Sequence, residues 1–83
     1  MWIVYILQCA DYSLYTWITT DLDRRLFEHN NSIKWAKYTK IRRPVKVVYF
    51  KNFENRSLAC KEEIFIKKMK KLQKMELINK FLG

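Results

Sequence analysis

Two runs of aromatic and aliphatic residues, Trp2–Leu7 and Ser13–Ile18, stand five residues apart at the head of the chain. Neither run carries a charge, a glycine or a proline, and both have the make-up of strands that lie centrally in a sheet. So short a spacer reads as the turn of an antiparallel hairpin. That turn contains Asp11 but lacks the glycine such turns usually carry, so its type stays open at this stage.

A helix is expected next. Thr20-Asp21-Leu22-Asp23 resembles a capping box, with Thr20 accepting the first amides and acids near the positive helix end. From there to about Asn30, Leu22, Leu26 and His29 fall on one side at i, i+4 and i+7, and Arg25 lies at the margin of that side, one turn before His29. Residues 31–43 are polar and basic. Pro44 can open a third strand, Val45–Phe50, because the first residue of a strand tolerates a missing amide. Two more helices are predicted, from near Ser57 to Met69 and from near Gln73 to Leu82, with Leu58, Phe65, Met69 and Leu72 as the face that covers the sheet. The expected fold is one α/β domain over residues 1–83: a small three-stranded, mainly antiparallel sheet flanked by helices, in the order β-β-α-β-α-α. A chain of 83 residues buries roughly 60–65% of its unfolded surface, so the core must be thin. An apolar fraction of 49% with 16% aromatics is nevertheless too rich for a disordered basic tail.

Charge divides the chain. Residues 1–33 carry two arginines against four acids, net −2, while residues 34–83 carry fifteen Lys/Arg against four acids, net +11. Such a basic half brings a protein to a polyanion, and solubility alone is the plainer account of the same charge. Lys34, Lys37, Tyr38, Lys40, Arg42 and Arg43 interleave cations with an aromatic, as a surface tracking a nucleic-acid strand does. Lys67, Lys68, Lys70, Lys71 and Lys74 are either a second such surface or a solvated helix face. Cys9 and Cys60 do not form a close pair, and His29 is the one histidine, so no structural zinc site can be assembled. A disulfide between them is possible and not needed. No apolar run approaches the roughly 18 residues of a membrane span, and the start lacks the order of a signal peptide. The expectation is a cytoplasmic protein of a reducing compartment, without a membrane.

Val4-Tyr5-Ile6, Tyr15-Thr16-Trp17 and the segment Asp21-Leu22-Asp23-Arg24-Arg25-Leu26-Phe27-Glu28-His29-Asn30 occur in that order, followed by Ala36-Lys37-Tyr38-Thr39, Arg42-Arg43-Pro44-Val45, and Glu63 with Ile66-Lys67-Lys68. In this combination the chain resembles the GIY-YIG nuclease superfamily, in its small single-domain bacterial branch related to the catalytic domain of structure-specific endonucleases. The likeness runs over nearly all 83 residues. It departs in its glycines: Trp17 stands where the second motif closes on glycine, Tyr12 where the hairpin turn has one, and Ile33 and Trp35 where the linker has others. If position 17 required a left-handed backbone or close approach to substrate, an indole would strain the chain or block the cleft.

The resemblance implies metal-dependent hydrolysis of DNA phosphodiesters, at branched or distorted sites and in the setting of DNA repair, with RNA as an alternative substrate. It makes Tyr5 the general base, Tyr15 a ligand of the water or phosphate, and Glu63 the carboxylate that holds Mg²⁺ or Mn²⁺. A phenol titrating at about 10 is a poor base unless neighbouring cations draw off its proton. An isolated helical wheel puts Glu62, not Glu63, at the centre of the apolar face, and either acid could be a surface partner of a lysine. Arg25 has a chemical case of its own, since a guanidinium fork matches phosphate oxygens; Arg24 should face elsewhere. His29 could donate to the phosphate, relay a proton to the leaving group, or be a satisfied core residue. Two other readings stay open: a nucleic-acid-binding module without turnover, and an adaptor for a larger protein partner.

Overall fold

A computed structural model describes residues 1–31 and 41–83. Trp2–Gln8 (β1), Leu14–Thr19 (β2) and Lys46–Phe53 (β3) form one antiparallel sheet in the order β2-β1-β3. The helices are Leu22–Asn31 (α1), Arg56–Lys67 (α2) and Lys71–Leu82 (α3). Among the described residues the element order is therefore β-β-α-β-α-α, the expected one.

The first apolar run becomes the central strand, and Val4, Tyr5, Ile6 and Leu7 are wholly buried there. Each aliphatic side chain in that position stabilises the fold by about 1.5–3 kcal/mol. Because neighbouring strand residues point to opposite faces, the run feeds two cores. On one face Val4, Ile6, Ile18, Val48 and Tyr49 pack with Ala59 and Ile66 of α2 and Ile78 of α3. On the other, Tyr5, Leu7, Cys9 and Val45 pack with Tyr15 and with Leu22 and Leu26 of α1. Cys9 and Cys60 belong to opposite faces and are free thiols, which settles the disulfide question against a bond.

Several local expectations are corrected. The cap of α1 is Asp21, not Thr20: its carboxylate accepts from the Arg24 amide at 3.1 Å, while its own amide donates to Thr19 Oγ1 at 3.1 Å. Strand β3 starts one residue late because Val45 is already satisfied by a side chain. Asn30 Oδ1 accepts the Val45 N–H at 2.8 Å, and Asn30 Nδ2 donates to the Val45 carbonyl at 3.1 Å, tying the end of α1 to the entrance of β3. The strand then runs on to Phe53, and Asn55 caps α2 by accepting the Leu58 amide at 3.0 Å. That start sets the rotation of α2. Leu58, Phe65 and Leu72, expected to cover the sheet, are exposed, and Ala59, Ile66 and Ile78 are buried instead, with Cys60, Met69, Met75 and Leu77 packed around them. The small Ala59 side chain lets the helix backbone approach the sheet, a closeness that a leucine on that face would prevent.

The hairpin turn lacks its glycine at a cost. Tyr12 has φ +66°, the left-handed region, and is the one such non-glycine residue among those described. Cys9 N–H donates to the Ser13 carbonyl at 2.9 Å and Tyr12 N–H to the Cys9 carbonyl at 2.9 Å, so the turn is closed despite that strain. Trp17, by contrast, has ordinary strand geometry; its indole replaces a glycine without backbone strain.

Candidate active site

On the α1 side of the sheet the Tyr5 hydroxyl lies 3.0 Å from His29 Nε2, and the two rings meet edge-on. Both are buried. Burial pushes the His29 pKa down to about 4, Arg25 pushes it further and Glu28 opposes, so the ring is neutral at physiological pH. Burial likewise pushes the Tyr5 phenol far above its usual value; Tyr15 adds to this and Arg25 opposes it. Arg25 thus acts in the direction expected from the sequence, but desolvation outweighs it. The phenol keeps its proton and shares a hydrogen bond with the imidazole. Half-buried Tyr15 sets its ring edge-on to His29 at 5.1 Å, and its own phenol is also raised, first by burial.

Helix α1 divides its two arginines as expected. The Arg24 side chain is 72% exposed and that of Arg25 only 21%. Arg25 NH1 stands 3.5 Å from Glu28 Oε1, and Arg24 Nε stands 3.7 Å from Glu28 Oε2. Helix α2 approaches from the opposite side of β2 and carries Glu63, whose side chain is 13% exposed and 3.9 Å from Lys67 Nζ. A cleft of about 240 Å³ lies between them, lined by Trp2, Trp17, Arg25, Arg56, Cys60 and Glu63. The Glu63 charge is felt by both Tyr5 and Tyr15, whereas Glu62 acts on Tyr49. Of the two acids that the helical wheel left competing, Glu63 is therefore the one in the cleft with Arg25.

A sequence model of the GIY-YIG catalytic domain matches residues 1–76. The chain belongs to the GIY-YIG family. Within it the chain is 51% identical over 77 residues to a UPF0213 protein of Desulfotalea psychrophila, covering 93% of this chain and 70% of that one. It is also 51% identical over 76 residues to a UPF0213 protein of Clostridium perfringens, covering 92% and 81%. Two solution NMR structures share the fold. One is a UPF0213 protein from Bacillus halodurans, with 40% identity, a TM-score of 0.61, and coverage of 95% of this chain and 84% of that one. The other is a protein from E. faecalis, with 43% identity, a TM-score of 0.65, and coverage of 95% and 83%. This is a small nuclease-type domain with an endonuclease-like family background.

Trp17 stands close to this site. It pairs directly across from Tyr5, so both side chains leave the same face of the sheet. An indole stands where the family motif has glycine, beside a phenol with no exposed surface. Its ring lies nearly parallel to Tyr15, with centroids 6.3 Å apart, and Lys67 Nζ sits 4.3 Å above it.

Of the expected nucleic-acid contacts, Lys34, Lys37, Tyr38 and Lys40 lie outside the described residues, as do Ile33 and Trp35. Arg42 and Arg43 are engaged inside the fold. Arg42 Nε meets the Asp11 carboxylate at 3.1 Å, and Arg43 Nε donates to the His29 carbonyl at 2.6 Å. Both stitch the segment before β3 to the hairpin and to α1, a role that charge counting did not suggest. Glu28 was also missed as a site residue; its spacing of three from Arg25 was the available signal.

Among the described residues no three of His, Cys, Asp and Glu gather into a metal cage. One cleft carboxylate, Glu63, fits a hard octahedral ion that keeps most of its waters and takes phosphate oxygens, the habit of Mg²⁺ and Mn²⁺. No helix among the described residues is long and apolar enough to cross a membrane.

Proposed function

We propose that this domain hydrolyses DNA phosphodiesters with Mg²⁺ or Mn²⁺, at branched or otherwise distorted sites. The observation that carries this reading is that Arg25 and Glu63 line one cleft while both act electrostatically on Tyr5 and Tyr15. A cation and a carboxylate facing each other across an aromatic floor is a poor hydrophobic core. It suits a phosphate bridged to a metal.

In this reading Arg25 binds two oxygens of the scissile phosphate and is released from Glu28 as it does so. Tyr15 donates to the same phosphate. The attacking water gives a proton to the Tyr5 oxygen while the Tyr5 proton crosses the 3.0 Å to His29 Nε2, so each O–H or N–H bond formed matches one broken. Neutral His29 is competent for this in the tautomer that leaves Nε2 unprotonated, and Glu28 favours the imidazolium that results. A divalent cation held through Glu63 supplies a Lewis acid that lowers the pKa of its water and offsets phosphorane charge. Tyr5 has no exposed surface, so a neighbouring side chain must move before water reaches its hydroxyl.

The deciding experiment is nicking of an end-labelled flapped duplex in Mg²⁺ or Mn²⁺. Glu63→Gln is expected to lower the rate by about two to three orders of magnitude, the scale of one lost transition-state electrostatic contact. Equal rates for the two proteins would end the proposal. The buried Tyr5 and the indole beside it favour one competing account, a binding module without turnover. Tight binding that weakens steeply with salt, with no nicking under any metal, decides for that account.

A further inference from the structure

We propose that the cleft accepts an unpaired nucleotide, with its base laid on the indole of Trp17; this rests on the reading that the cleft takes nucleic acid. Three observations carry it. Trp17 lies on the edge strand β2, and the residue is 40% exposed despite its size. Tyr15 backs it at a 21° interplanar angle, which makes a two-ring platform. The Lys67 ammonium, the tip of a flexible side chain, stands 4.3 Å from the centre of the ring. Trp2 forms part of the same cleft and carries its own cation, with Arg56 Cζ at 5.6 Å. Indoles flanked by cations, here Arg56 and Lys67 from the half of the chain with net charge +11, are the elements from which single-strand sites are built.

An ammonium on an exposed ring is the weaker partner for that indole, and a base stacked on it is the stronger. The exchange is favourable for a second reason. Lys67, displaced from the ring, remains beside Glu63 and meets the backbone phosphate of the same nucleotide. A base inside a duplex has both faces covered by its neighbours and cannot make this contact. The cleft therefore discriminates for a frayed, flapped or single-stranded position next to the phosphate that Arg25 binds, and a glycine at position 17 would offer nothing to stack on.

The test measures binding by anisotropy in the absence of divalent metal, so that no cleavage intervenes. The probes are a labelled oligothymidylate of about a dozen nucleotides, enough to fill one such site, and a blunt duplex of the same length. Trp17→Leu is expected to weaken the oligothymidylate about tenfold, the loss of one base stack, and to leave the duplex within about twofold. Trp17→Phe keeps a ring and should restore most of the affinity, which guards against a folding defect in the leucine variant. Lys67→Met should lower the slope of log affinity against log salt for the single strand by about 0.7, one phosphate contact. Trp17→Leu binding the oligothymidylate as tightly as the parent, or losing both probes alike, overturns this proposal while leaving the nuclease reading to its own nicking assay. Failure of the parent protein to bind the oligothymidylate also overturns this proposal, and the nicking assay still decides the nuclease reading.

Discussion

Acidifying the protein should destabilise it through one side chain, His29. An unfolded chain holds this imidazole at its ordinary pKa of about 6.5, whereas the fold lowers it to about 4. Above pH 6.5 both states are neutral and nothing changes. Between about 6.5 and 4 the unfolded chain takes up a proton that the folded chain refuses, so stability falls as pH falls and levels off below about 4. At 1.36 kcal/mol per pKa unit, the loss from pH 7.5 is about 2 kcal/mol at pH 5 and about 3 kcal/mol at pH 4. Solvent screening does not erode this much, because the residue is only 3% exposed. A small domain holds about 0.05–0.15 kcal/mol per residue, so the loss is a large share of the total. With a urea slope of about 1 kcal/mol/M, the midpoint should drop by about 2 M at pH 5. Asp11, held below its usual pKa first by the Ser13 hydrogen bonds, acts in the same direction but only at lower pH, and it is exposed. The assay is a series of urea melts from pH 7.5 to 4 on the parent, on His29→Gln and on Tyr5→Phe. His29→Gln should flatten the profile above pH 4.5. Tyr5→Phe should keep most of it, since burial is the larger cause and the Tyr5 hydrogen bond is not. A His29→Gln profile as steep as the parent's, or an imidazole resonance that titrates in the folded protein near 6.5, refutes the reasoning.

Two further outcomes follow from the same geometry. Arg25→Ala should cut nicking of a flapped duplex by about two to three orders of magnitude with the fold intact, while Arg24→Ala, on the exposed side of the same helix, should change it less than about threefold; equal effects would remove Arg25 from the phosphate. Tyr12→Gly should raise stability by about 1 kcal/mol, read from the urea midpoint, because φ +66° costs a tyrosine and not a glycine; a neutral or destabilising result would mean that the exposed ring makes contacts worth more than the strain.

The elements whose identity depends on local chemistry were legible from the residues alone. The uninterrupted apolar run of six residues, Trp2–Leu7, read as a strand buried on both faces or central in a sheet, and the spacing of Leu22, Leu26, Arg25 and His29 put cation and imidazole on neighbouring lines of one helix. The resemblance to the GIY-YIG family marked positions 12 and 17 as unusual, and helical spacing told Arg24 from Arg25. What depends on the rotation of one element against another was not legible. Helical periodicity is nearly as good for Leu58 and Phe65 as for Ala59 and Ile66, and only the sheet's need for a close-packed face selects the second set. Which of Glu62 and Glu63 enters the cleft turns on that same rotation. Charge counting marked Arg42 and Arg43 for a polyanion and left out their contacts within the fold, to the Asp11 carboxylate and the His29 carbonyl, because a sequence does not show which groups of the chain lie near them. The protonation of Tyr5 and His29 was the furthest from reach. It is set by desolvation, a property of the surroundings that exists only once the sheet and α1, with Tyr15 against the imidazole, have closed over the pair.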